Sequence, residues 1–334
     1  MQMFTALAVA ALLGTGILSP AGAAAAPYRI VDRIAGPHGS WDYVRVDPVR
    51  DRLLVAHGTA LMLVDLSTGK VTANFAPGLR LHDALPINGG AEILVTNGGS
   101  NAVVFADAST GTIIARLPVG KGPDAAATDP KSGLVLVMNH AGGTVSLVDP
   151  VAHTLVATID VGGKLEAAVV TPDGKAYVNV EDRNETAVID LARRTVIARY
   201  PLAGCDGPTG LAYDPRDNVL IAACDGSTVI FAGRDGKILA SLPTGAGADG
   251  VAFDAAQRLA FVPAGGDGTL AIVAVDGARS KIVQTLKTQP SARTIAFDPR
   301  TGRIYLPAAR FGPAAAGERP PMLPGSFEVL VIGK

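Results

Sequence analysis

From residue 41 onward the chain is a succession of short apolar runs, each closed by Gly, Pro, Asp or Asn. One kind of run is almost wholly apolar: LLVAH (53–57), ILVTN (93–97), VLVMN (135–139), AYVNV (176–180), LIAAC (220–224), AFVPA (260–264) and IYLPA (304–308). Runs this short, rich in Val and Ile and bounded by turn residues, predict short strands. Shortly before each stands a second kind of segment: WDYVRVDP (41–48), HDALPING (82–89), PDAAATDP (123–130), LEAAVVTP (165–172), PTGLAYDP (208–215), ADGVAFDA (248–255) and ARTIAFDP (292–299). The second residues of these segments are 42, 83, 124, 166, 209, 249 and 293, spaced by 41, 41, 42, 43, 40 and 44. A repeat of this length made of strands predicts a β-propeller.

Each repeat also holds a third strand, such as AVVFAD (102–107) or TVSLVDP (144–150), and a fourth, such as TIIARLPVG (112–120). Tight turns join them, Ser67-Thr68-Gly69-Lys70 and Ser109-Thr110-Gly111-Thr112 among them. The seventh repeat stops after its third strand, SFEVLVIGK (326–334), while YRIVDRIAG (28–36) precedes the first repeat and reads like a fourth strand. The N-terminal strand is therefore expected to complete the last blade, which removes an open sheet edge. The expectation is an all-β, seven-bladed propeller forming one domain over residues 27–334.

Leu94-Val95-Thr96-Asn97 and Tyr177-Val178-Asn179 resemble the signature of the YVTN-repeat β-propellers, specifically the exported YncE-like proteins. The similarity runs over about residues 28–334, although blades five to seven replace Thr-Asn with Ala, Pro and Cys. The resemblance implies the seven-bladed fold and export; it implies no particular activity.

The N-terminus changes the picture in the same direction. Residues 6–18, ALAVAALLGTGIL, precede Pro20 and two small-residue cleavage patterns, 21–23 and 24–26. This predicts a secretory signal peptide over residues 1–26, although the usual basic n-region is missing: no Lys or Arg precedes Arg29. The mature protein is expected to be periplasmic or secreted, without a lipid or membrane anchor. Cys205 and Cys224 are the only cysteines, and in an oxidising compartment they are expected to pair. A two-thiolate metal site would lack further ligands nearby in the sequence. With 29 basic and 30 acidic residues the chain has no basic field for nucleic acid, and a monomer is expected.

In a four-stranded blade the fourth-to-first and second-to-third connections emerge on one face, and first strands line the axis. Asp42, Asp83, Asp124, Glu166, Thr209, Asp249 and Arg293 should then ring the channel mouth. Two readings compete. Asp at the entry to a strand caps turns by accepting backbone N–H groups. Alternatively the ring, or some of Asp42, Asp83, Asp124, Glu166 and Asp249, binds a cation, and carboxylate oxygens favour a hard divalent ion such as Ca²⁺. His57, His82, His140 and Trp41 belong to the same face, and the loop 310–325 forms a flap or an ordinary insertion there.

The G-x-G-x-x-G match at 245–250 is followed by the strand VAFDA instead of a helix, so it is no dinucleotide site. No nucleophile elbow, Walker loop or H-E-x-x-H zinc motif occurs. Two functions follow: a binding or scaffold protein with a small ligand or protein partner at the channel mouth, or a lactonase-like hydrolase or lyase using a metal held by the ring.

Overall fold

The computed structural model describes residues 26–314 and 317–334. The expected signal peptide lies outside them, Ala26 excepted. Seven antiparallel four-stranded sheets form a ring, each but the last built from four strands consecutive in sequence. The second strands, Arg52–His57, Glu92–Asn97, Val135–Asn139, Lys175–Val180, Val219–Cys224, Leu259–Ala264 and Arg303–Ala308, coincide with the seven apolar runs. The last sheet is Ala296–Asp298, Arg303–Ala308, Glu328–Gly333 and the N-terminal Arg29–Ala35, as expected. Arg29–Ala35 pairs along the whole of Glu328–Gly333, with one bulge between Ile30 and Asp32. Tyr28 anchors its start against Phe261 of the preceding blade, the rings 5.3 Å apart and edge-on.

The periodicity explains the burial. Second and third strands lie mid-blade with sheets on both sides, so nearly every residue is buried and no alternation remains. Fourth strands such as Thr195–Pro201 face solvent on the rim and alternate between exposed and half-buried. Every junction between neighbouring blades is filled by its own apolar cluster; Leu136, Met138 and Val178, for example, join blades three and four. The core is thus distributed around the ring, and the first strands, crowded at the axis, carry small residues such as Ala125-Ala126-Ala127.

The Asp that closes most first strands is a turn cap. Asp47, Asp129, Asp214, Asp254 and Asp298 are all buried and accept the N–H two residues on, at 3.2, 3.0, 3.0, 2.9 and 3.0 Å. The signature Asn residues likewise satisfy loop backbone. Asn97 accepts Leu79 N–H at 3.1 Å, and Asn179 donates to the Gly210 carbonyl of the next blade at 3.1 Å.

Cys205 and Cys224 form the expected disulfide, with Cα atoms 5.2 Å apart, tying the loop entering blade five to the end of its second strand. A bridge 19 residues apart in sequence restrains the unfolded chain by about 3 kcal/mol. Cys205→Ser/Cys224→Ser is expected to lower the urea-unfolding free energy by about 2–4 kcal/mol, and wild type under reducing conditions should match it.

Candidate functional site

Two of the residues that precede ring positions lean onto the preceding blade. Trp41 packs against Phe327 of blade seven at 5.3 Å, and Leu165 joins the apolar cluster of blade three. His82 Nδ1 lies 2.5 Å from Oδ2 of Asp42, in blade one, and 3.6 Å from Oδ2 of Asp124, in blade three. Gly98 leaves room for it, since a Cβ there would stand 2.7 Å from the imidazole. His140, in the loop after the second strand of blade three, turns toward blade four, with Nδ1 2.8 Å from Oε1 of Glu166. That pair is out of line for a hydrogen bond, and Nδ1 has no hydrogen-bonding partner.

Two overlapping groups result. Asp42, His82 and Asp124 each offer one ligand atom within 4.8 Å of the others, and so do Asp124, His140 and Glu166. Asp124 belongs to both. Asp249 completes the acidic mouth and is held by Nε of Arg293 at 2.7 Å. The turn-capping reading does not hold for these four carboxylates: none accepts a backbone N–H among the described residues, in contrast to the Asp residues that close the first strands.

Their electrostatics follow from crowding. Asp124 is pushed well above the usual carboxylate range by burial and then by the charges of Asp42, Glu166 and Asp249. Asp249 is pushed up to about 7, by burial and then Asp42, against the pull of Arg293. Glu166 is raised by burial despite His140, whose own pKa the Glu166 carboxylate raises.

Three other ring members do different work. Asp83 is completely buried and points below the mouth. Its oxygens take a fork from Arg45, Nε to Oδ1 at 2.6 Å and Nη2 to Oδ2 at 2.5 Å, together with the N–H groups of Ala84 and Ala126 at 2.8 and 2.9 Å. Thr209 donates to the Ala248 carbonyl at 3.0 Å. Arg293 contributes the only positive charge of the ring and stacks 5.8 Å from the Trp41 ring. His57 is turned away from the axis, buried edge-on against Phe327 at 4.8 Å. It occupies the strand-end position of Asn97 and Asn139, whereas His140 stands one residue further, in the loop.

In the loop that follows the second strand of blade seven, Phe311 and Met322 form a bridge, and Phe311 lies 6.3 Å from Trp41. With His38, Arg293 and Arg319 these residues line a rim cavity of about 390 Å³.

Two residues of the site went unnoticed in the sequence reading, Arg45 and Tyr43. Tyr43 crosses the axis from blade one to pack against the cluster of blades three and four. Its hydroxyl is buried without a hydrogen-bonding partner, and burial followed by Glu166, Asp124, Asp249 and Asp42 raises its pKa far above normal. Tyr43 and Arg45 also bound the axial channel, a cavity of about 610 Å³ otherwise lined mainly by small and aliphatic groups such as Ala126, Ala167 and Val251.

No protein-family model matches the chain. No curated protein matches it either. Among solved structures it is similar to one described as Kuenenia stuttgartiensis hydrazine synthase, at 17% identity and a TM-score of 0.69 over 82% of this chain and 92% of that one. It is also similar to a chain in a crystal structure of the mitotic checkpoint complex, at 11% identity and a TM-score of 0.75 over 99% and 98% of the two chains. At these identities the likeness shows the fold alone, a seven-bladed β-propeller.

Proposed function

We propose that this protein is an exported binding protein that holds a divalent transition-metal ion at the mouth of its axial channel and uses that ion to capture a ligand or partner. The observation that carries the reading is the placement of His82 Nδ1 between the carboxylates of Asp42 and Asp124, all within 4.8 Å. An imidazole among carboxylates suits Mn²⁺, Fe²⁺ or Zn²⁺ better than Ca²⁺, which favours six to eight oxygens. The sequence pointed to an all-oxygen ring; His82 and His140 alter that preference. The fold supports the same reading, because His82, Asp124 and Glu166 lie on first strands of a closed ring, which pre-organises them.

Export is part of the proposal. It is supported by the N-terminal apolar segment and by the disulfide, which fits an oxidising compartment. No helix among the described residues is long and apolar enough to cross a membrane. Membership of the YVTN-repeat, YncE-like group belongs to the proposal as well, supported by Asn97 and Asn179 acting as loop anchors in the blades that carry the signature.

The test is a thermal-unfolding series on the chelator-stripped mature chain with Mn²⁺, Zn²⁺ and Ca²⁺. An ion at a hundred times its dissociation constant stabilises the folded state by about 2.7 kcal/mol. Mn²⁺ or Zn²⁺ is expected to raise the midpoint at micromolar concentration and Ca²⁺ only far above that. The reading is overturned if none of the three shifts the midpoint, or if His82→Ala leaves the shift intact.

A further inference from the structure

We infer that the mouth holds two divalent ions, bridged by Asp124; this rests on the metal reading above and extends it. Asp124 is the one residue common to both ligand groups, with Asp42 and His82 on one side and His140 and Glu166 on the other. Each side repeats the same chemistry, one Nδ1 imidazole and one carboxylate, contributed from different blades. A shared carboxylate between two such sets is the arrangement that holds paired ions about 3.5–4 Å apart.

Three observations point beyond a mere acidic cluster. Glu166 is only 8% exposed, yet its neighbour at 2.8 Å, His140 Nδ1, is not aligned to hydrogen-bond with it. Ligand atoms this close together can be taken by a single ion. Second, the Tyr43 hydroxyl is buried with no hydrogen-bonding partner in the protein. An unpaired buried hydroxyl costs about 1–3 kcal/mol, and a metal-bound water or hydroxide would accept its proton in a hydrogen bond.

Third, four carboxylates, Asp42, Asp124, Glu166 and Asp249, gather at the mouth, where the guanidinium of Arg293 pairs with Asp249 alone, and such an excess of acidic groups favours bound cations.

The experiment counts ions. The chelator-stripped full chain is loaded with Mn²⁺, freed of unbound ion, and analysed by plasma mass spectrometry and low-temperature electron paramagnetic resonance. Wild type is expected to hold two ions per chain with an exchange-coupled spectrum. His140→Ala/Glu166→Gln and, separately, His82→Ala should each hold one ion with an isolated-ion spectrum, while Asp124→Ala should hold none under conditions that saturate wild type. One uncoupled ion per wild-type chain would overturn the pairing and leave the single-metal reading standing. No bound ion would overturn both. Two ions surviving unchanged in His140→Ala/Glu166→Gln would overturn the ligand assignment. The wild-type count does not depend on any variant folding, and a cooperative thermal transition qualifies each variant.

Discussion

Arg45→Met is expected to destabilise the protein by about 3–5 kcal/mol, the cost of stranding one member of a buried ion pair. Asp83 is completely shielded from solvent. Arg45 approaches both of its oxygens there, and the N–H groups of Ala84 and Ala126 complete the set. Removing the guanidinium leaves two N–H groups to hold a carboxylate out of water. Arg45 also reaches the Ala126 carbonyl at 2.6 Å, so a single side chain links blades one, two and three across the axis. Lysine should rescue little, because a point charge cannot supply the fork to Asp83 and the bond to Ala126 together. The double variant Arg45→Met/Asp83→Leu should recover most of the loss, since apolar replacement of a whole buried pair is often neutral. Urea unfolding of the four proteins in a double-mutant cycle measures the coupling directly. Additive losses would show that the pair is not acting as one unit.

That pair also marks the limit of what the sequence discloses. The blade count, the strand positions and the closing role of residues 28–36 all follow from a period and from apolar runs, which are local properties. The face on which Asp42, His82, Asp124, His140 and Glu166 gather follows from topology and was equally legible. Which of them meet was not. Asp83 and Asp124 hold equivalent places in successive repeats, yet one is neutralised from blade one and the other is left for the mouth. The difference arises from Arg45, three residues past Asp42, and no repeat pattern reveals how far its side chain reaches across an axis. Tyr43 was missed for the same reason, as its burial comes from blades three and four and not from its own. His57 failed to join the site by one residue of register, ending inside the strand where His140 falls just beyond it.

In the metal-free protein the mouth is expected to work against folding, and pH should expose this. Asp249 is pushed up to about 7 in the folded chain, well above the ordinary Asp value near 3.9. A group whose folded pKa lies above its unfolded one binds its proton first in the folded state. Its contribution is therefore greatest below about pH 4 and is lost as pH rises toward 7. Asp124 and Glu166 are displaced in the same direction. With each unit worth about 1.4 kcal/mol, the chelator-treated protein should lose roughly 2–4 kcal/mol between pH 4 and 7. Carboxylates held below their normal range, such as Asp65 at about 2, act at lower pH and do not mask the trend. Saturating Mn²⁺ should abolish the decline above pH 6, because the ion replaces the proton as counter-charge. Asp42→Asn/Asp124→Asn removes a carboxylate pair whose ligand atoms lie within 4.8 Å, a repulsion of about 3 kcal/mol at an effective dielectric of 20. At pH 7 without metal the variant should therefore be more stable than wild type by about 2–3 kcal/mol, and it should show no response to Mn²⁺. Calorimetric or urea-derived stabilities across pH 4–8, with and without ion, measure both effects. A wild type as stable as the variant without metal would mean that the carboxylates are already compensated within the protein, and the mouth would then have no electrostatic need of an ion.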